Sequence, residues 1–196
     1  MSRSRFRSIS HRPPRIVGVD DGAFYGRKEH LRKTTLLAAL LEGPQILELR
    51  LGAIEVDGTD VHKVLLSLLG TLSYDVVMLR GISFGGFNLV DIKRLAQSTG
   101  KPVIAVIREE PNNEAVQAAL RKHFADWRQR WRIVQNAGPL YSSKPLAKEP
   151  RLYFEVKGGS PALARGVIVR SSLISRLPEP VRVAGILAKG LGAFSG

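Results

Sequence analysis

Wholly apolar segments alternate with amphipathic ones through the middle of this chain, and that alternation limits its fold more than any other feature. Tyr74–Leu79, apolar but for Asp75, and Pro102–Ile107 are compact runs, short enough for strands and apolar enough to be buried on both faces. Each leads into a segment with helical spacing. Val90, Ile92, Leu95 and Ala96 mark the first, closed at Gly100. Asn112 or Asn113 opens the second, read as one long helix to about Arg130. An earlier helix runs from a cap at Thr59 or Asp60 through Val64, Leu65, Leu68 and Leu69 to Gly70. Strand–helix–strand order requires right-handed crossovers and a parallel sheet. Upstream, Arg15–Asp20, Thr34–Glu42 and Ile46–Val56 read as three strands, with Gly43 and Pro44 turning between the last two. The expectation is an α/β fold in which an antiparallel meander feeds parallel strands, a mixed sheet with helices on both faces. Downstream, Arg151–Val156 and Val167–Val169 read as strand-like or irregular, and helices follow Ser160 and Pro180.

Charge narrows the partner. The 196 residues suit one domain, and no apolar run approaches the ~18 residues of a membrane span. Thirty Lys and Arg against 17 Asp and Glu give a net charge of +13. A surface that basic favours polyanions, nucleic acid ahead of membrane. Residues 1–15 hold five Arg and no acid, and read as a flexible basic arm before a single domain over 16–196. The arm shares its composition with organellar transit peptides, while a signal peptide is excluded for want of an apolar centre. Without cysteine there is no disulfide, thiolate nucleophile or Cys-ligated zinc, and a reducing, cytoplasmic location is expected. The four His have no metal-binding spacing, so any metal would be a hard cation on oxygen, Mg²⁺ or Mn²⁺.

Open α/β sheets place their functional crevice beyond the carboxyl ends of the parallel strands. Asp20 and Asp21 close the first strand, Asp57 and Asp60 follow the third, and Asp91 follows a glycine-rich turn, Gly81–Asn88. Convergent carboxylates are what a metal pair needs to activate water against a phosphodiester. Asp60 and Asp91 also read as helix caps, and Asp57-Gly58 as a turn. Asp20 is harder to assign to structure alone, because it closes a wholly apolar strand where an unpaired acid is costly. Phe84 and Phe87 flank the glycines of the turn and either stack on bases or anchor the loop. Trp127–Arg132 interleaves Arg with Trp, suited to phosphate contact or to a solvated helix end. Gly158-Gly159-Ser160 reads as a phosphate cradle or a plain N-cap. His62 and His123 lack a nucleophile partner, and neither a Gly-x-Ser-x-Gly elbow nor a P-loop is present.

Four segments carry a family resemblance: Val17-Gly-Val-Asp-Asp-Gly-Ala-Phe24, Val56-Asp-Gly-Thr-Asp60, Gly81-Ile-Ser-Phe-Gly-Gly-Phe-Asn-Leu-Val-Asp91 and Pro178-Glu-Pro-Val-Arg-Val-Ala184. Together, over about residues 15–192, they resemble the largely archaeal endonuclease dU family, related to endonuclease V and its ribonuclease H-like fold. The resemblance implies a Mg²⁺- or Mn²⁺-dependent endonuclease that cuts near deaminated bases, uracil first, in DNA ahead of RNA. It implies Asp20 as one metal ligand and Asp57, or Asp60, as a second. The third acid of such enzymes is replaced here by Arg80, followed by Gly81, so Asp21 or Asp91 is expected to complete the site, and Arg80 is free to meet a phosphate. Arg108 stands where endonuclease V-like proteins carry lysine. Arg80, Phe84, Phe87, Asn88 and Arg108 are accordingly expected to contact nucleic acid. The alternative is a non-catalytic nucleic-acid-binding protein on the same fold with a degenerate metal site.

Overall fold

Pairing of the apolar segments yields a single seven-stranded sheet in the computed structural model, which describes residues 12–22 and 32–192. The expected basic arm lies almost entirely outside those residues, as does the end of the first motif, Ala23 and Phe24. The chain opens with the meander: β1 (Arg15–Asp21), β2 (Lys33–Glu42) and β3 (Gln45–Glu55), each antiparallel to the next. Gly43 makes the turn between β2 and β3 at φ +58°, a conformation glycine adopts without strain. Then come α1 (Val61–Leu69), β4 (Val76–Leu79), a separate hairpin of β5 (Ser83–Phe84) and β6 (Asn88–Leu89), α2 (Ile92–Thr99) and β7 (Val103–Ile107). The chain continues through α3 (Asn113–His123), α4 (Trp127–Ala137), β8 (Tyr141–Ser143), β9 (Leu152–Lys157), α5 (Pro161–Ser171) and α6 (Glu179–Gly192).

The sheet order is β3-β2-β1-β4-β7-β9-β8. β4 runs parallel to both β1 and β7, and β9 returns antiparallel to β7. Strand alternation sends successive side chains to opposite faces. Val17, Val19, Val77, Leu79, Val103 and Ala105 bury against α1 and α2. Ile16, Met78, Ile104 and Val106 bury on the other face with Val167 and Ile168 of α5 and Val181 of α6. Helices therefore cover both faces, as the apolar β1, β4 and β7 require. No helix among the described residues is long and apolar enough to cross a membrane.

Two local expectations are corrected. The long helix from Asn112 is two helices, broken at Phe124, whose backbone is extended at φ −131°. The break lets the Phe124 ring meet Phe87 edge-on at 5.5 Å, a tertiary contact that overrides local helical spacing. Val167–Val169 lies inside α5, because Ser160 caps that helix by accepting from Leu163 N at 3.1 Å with Pro161 at its first position. That cap is the plain reading of Gly158-Gly159-Ser160. β8, on which the sequence raised no expectation, is too short for a periodic signal and forms by pairing with β9.

Candidate active site

Because β1 and β4 are parallel neighbours, their carboxyl ends emerge together, bringing Asp20 beside Arg80. Arg80 N donates to Val19 O at 3.1 Å, and Arg80 Nη1 donates to Asp20 Oδ2 at 3.5 Å. Asp20 is only 4% exposed, with Gly185 of α6 packed so closely that a Cβ there would overlap Oδ2. Loss of solvent pushes the Asp20 carboxyl up to about 7; the Arg80 cation and the Asp21 amide oppose that rise without cancelling it.

Alternation along β1 turns Asp21 to the opposite face. Its Oδ2 accepts from Gly85 N at 2.5 Å. Asp57, at φ +56°, accepts from Phe87 N at 2.8 Å through Oδ1, and its own N donates to Gly85 O at 2.7 Å. Two expected metal ligands thus grip the turn between β5 and β6. Asp60 precedes α1 but caps nothing with its side chain; it accepts from Asn88 Nδ2 at 2.6 Å and from Glu55 N at 3.2 Å. Asn88 is fully buried, donating also to Glu55 O and accepting from Val61 N at 3.1 Å. Asp91 caps α2, accepting from Lys93 N and Arg94 N, while its Oδ2 accepts from Asn136 Nδ2 at 2.8 Å. Phe84 is in the core at 1% exposure, Phe87 packs on Phe124, and Arg108 is exposed.

The expected acids therefore surround one end of the sheet without converging on one point. Among the described residues no three of His, Asp and Glu gather where they would share a metal ion. Asp21, Asp57, Asp60 and Asp91 each accept hydrogen bonds from amide groups of the protein, and the cation facing Asp20 is Arg80. This donor set does not fit a two-metal centre; it pairs a buried carboxylate with a half-buried guanidinium.

Two further residues matter: Arg130, which the sequence placed only within the Trp127–Arg132 stretch suited to phosphate contact or a solvated helix end, and Glu155, to which it gave no role. Arg130 is 7% exposed. Its Nη1 donates to Gly58 O at 3.0 Å and to Phe87 O at 2.5 Å, and Nη2 donates to Asp57 O at 3.0 Å. Its Nε meets Asp126 at 2.9 Å, and its guanidinium stacks 4.3 Å over Phe124. One planar fork thus ties α4 to both the Asp57 turn and the hairpin. The four-residue spacing of Asp126 and Arg130 was its visible signal.

Glu155, in the middle of β9, is the second. Its Oε2 is buried without a hydrogen-bond partner, and burial pushes its carboxyl from 4.5 up to about 7 against the pull of Lys157. It lines a cavity of about 250 Å³ with Arg80, Ile82, Ile107, Val116 and Val134. The signal was an acid inside an apolar strand, Leu152-Tyr-Phe-Glu-Val.

Glu155 holds its proton more tightly folded than unfolded, so between 4.5 and about 7 the unfolded chain releases a proton that the folded chain keeps. Stability therefore falls as pH rises through that window, by up to about 3 kcal/mol. Glu155→Gln removes this titration. Its urea midpoint is expected to gain on the wild type between about pH 5 and about pH 8, and parallel pH profiles would contradict this account.

A model of the endonuclease dU family matches residues 13–192. The chain belongs to the endonuclease dU family. A UPF0215 protein of Thermococcus gammatolerans is 36% identical over 182 residues, covering 90% of this chain and 91% of that one. A UPF0215 protein of Methanothermobacter thermautotrophicus is 35% identical over 196 residues, covering 97% and 93%. Among solved structures, a protein of unknown function from Archaeoglobus fulgidus superposes with TM-score 0.79 at 28% identity, covering 90% of this chain and 97% of that one. Human endonuclease V gives TM-score 0.61 at 15% identity, covering 93% and 86%. Endonuclease V of Ciona intestinalis, in complex with DNA containing an inosine followed by a ribo-adenosine, gives 0.55 at 13%, covering 90% and 84%. This chain thus shares the endonuclease V fold, a mixed α/β sheet with six helices among the described residues.

Proposed function

We propose that this member of the endonuclease dU family is an endonuclease acting on DNA that carries deaminated bases, uracil first. The family match over 13–192 carries the reading. The pair of buried Asp20 and half-buried Arg80 at the carboxyl ends of β1 and β4 supplies the chemistry. The Ciona enzyme with its inosine-containing DNA supports nucleic acid as partner, as does the +13 charge. Phosphodiester hydrolysis needs a group to take the proton of the attacking water and a cation for the developing charge on phosphorus-bound oxygen. A carboxyl near 7 is part ionised at neutral pH, and Asp20 fills the first role. Arg80 fills the second, its guanidinium shared between Asp20 and a phosphate oxygen. Asp21, Asp57 and Arg130 hold the glycine-rich hairpin beside that pair. The family resemblance adds Mg²⁺ or Mn²⁺, which the donor set does not fit, so no step here passes through a metal.

The test incubates purified protein with uracil-containing, hypoxanthine-containing and undamaged strands of DNA and RNA, in Mg²⁺, in Mn²⁺ and in chelator. Nicking of the uracil-containing duplex is expected, and Asp20→Asn should lower its rate by on the order of 10²–10⁴-fold. Unchanged nicking by that variant would sink the assignment of Asp20. The Asp20–Arg80 pair in place of clustered acids also favours a second reading, a binding protein without catalysis. That reading expects salt-steep DNA affinity with no cleavage under any of the ionic conditions.

A further inference from the structure

The cavity lined by Glu155 has no part in the hydrolytic step above. It lies between the β5–β6 hairpin, the carboxyl end of β7, α3, α4 and β9. Its walls are mostly apolar, with Ile82, Leu89, Ile107, Val116 and Val134, and the polar Ser83 and Asn113 also line it. Glu155 is 8% exposed, and its Oε2 has no hydrogen-bond partner. A buried carboxyl in that state destabilises the fold, and a donor entering the cavity relieves it. Arg80 lines the same cavity while meeting Asp20 at 3.5 Å. The cavity therefore adjoins the candidate cleavage pair.

At about 250 Å³ the space is below the ~300–1,000 Å³ of drug-sized pockets, and suits one flat heterocycle between apolar walls. Enzymes that act at a particular base commonly swing it out of the stack and read its Watson–Crick edge in such a pocket. Uracil and hypoxanthine present a ring N–H beside a carbonyl on that edge. Cytosine and adenine present a ring nitrogen lone pair there, which faces carboxylate lone pairs unfavourably. We propose that this cavity receives an extruded base of the lactam type, uracil in the leading case, with Glu155 accepting its ring N–H; the assignment rests on the nuclease reading above. Thymine carries the same edge, so its methyl group has to be rejected by the apolar walls and not by Glu155.

The test uses duplexes identical but for one uracil or one cytosine opposite guanine, at about pH 8, where Glu155 is ionised. Affinity and nicking are measured for the wild type, Glu155→Gln and Val116→Trp. A glutamine amide rotates to offer either a donor or an acceptor, so it reads cytosine as readily as uracil. Glu155→Gln is expected to lower the uracil-over-cytosine ratio by about tenfold or more, mostly by admitting cytosine. Val116→Trp fills the cavity from α3 and is expected to lower the same ratio with Glu155 intact, which keeps the test valid should Glu155→Gln fail to fold. If the wild type prefers uracil and both variants keep its ratio, the cavity assignment is overturned while the nuclease reading stands. If the wild type neither binds nor cuts the uracil duplex preferentially, the nuclease reading falls and this assignment falls with it.

Discussion

Gly18→Ala is expected to destabilise the protein by about 3 kcal/mol or more. Gly18 sits in the middle of β1, where α6 crosses the sheet by backbone contact. A Cβ there would overlap the Pro180 carbonyl and come within 2.6 Å of Val181 N. Backbone lies on both sides of the clash, so no side chain can rotate away, and α6 must lift from β1. Lifting it would uncover Val181, Ala184 and Ala188, all fully buried, and withdraw Gly185 from Asp20. For a chain of this size a loss of that order corresponds to roughly 6–12 °C in Tm. Gly190→Ala in the same helix is the control. A Cβ there meets nothing within 4 Å, and alanine is the better helix former by about 0.5–1 kcal/mol. Opposite signs are expected in urea unfolding; equal behaviour of the two variants would refute the close approach of α6.

Arg130→Met should cost about 3–5 kcal/mol, as breaking a buried ion pair does. The methionine fills the space over Phe124 but leaves Asp57 O, Gly58 O and Phe87 O without their donor. Asp126 is one-third exposed and can hydrate, so most of the loss comes from the three carbonyls. Arg130→Lys keeps the charge and loses the planar fork, and recovers only part of the stability. Because this fork joins the Asp57 turn to the hairpin, amide exchange at Gly85 and Phe87 should accelerate more than exchange in β4 and β7. A loss under about 1 kcal/mol would show that Arg130 behaves as a surface cation.

Much of the fold was legible because its signals are local. Unbroken apolar runs mark β1, β4 and β7, and Asp91, Ser160 and Gly100 bound helices by capping chemistry that reaches only three or four residues. The elements that escaped notice are those made by distant contacts. α3 and α4 separate where Phe124 turns to Phe87, and β8 exists through β9. The candidate site divides the same way. Its acids are visible as strand-end residues, yet adjacent Asp20 and Asp21 go to opposite faces and to unrelated partners. Arg130 reads as one of several arginines on a basic helix until its carbonyl partners, 43 to 73 positions away, are known.

By itself the sequence determined the alternation of strands and helices, the basic charge, the absence of thiol chemistry and the family motifs. Those depend on residue type and short spacing, which chain-local physics reads directly. Only the tertiary structure decided that Asp20 is buried against Arg80 and α6, that the neighbouring acids bind backbone and amide groups, and that Glu155 stands unpaired in a cavity. A carboxylate's chemistry is set by its solvent access and by the charges within a few ångströms, and β-sheet pairing draws those from positions as far as 60 residues away.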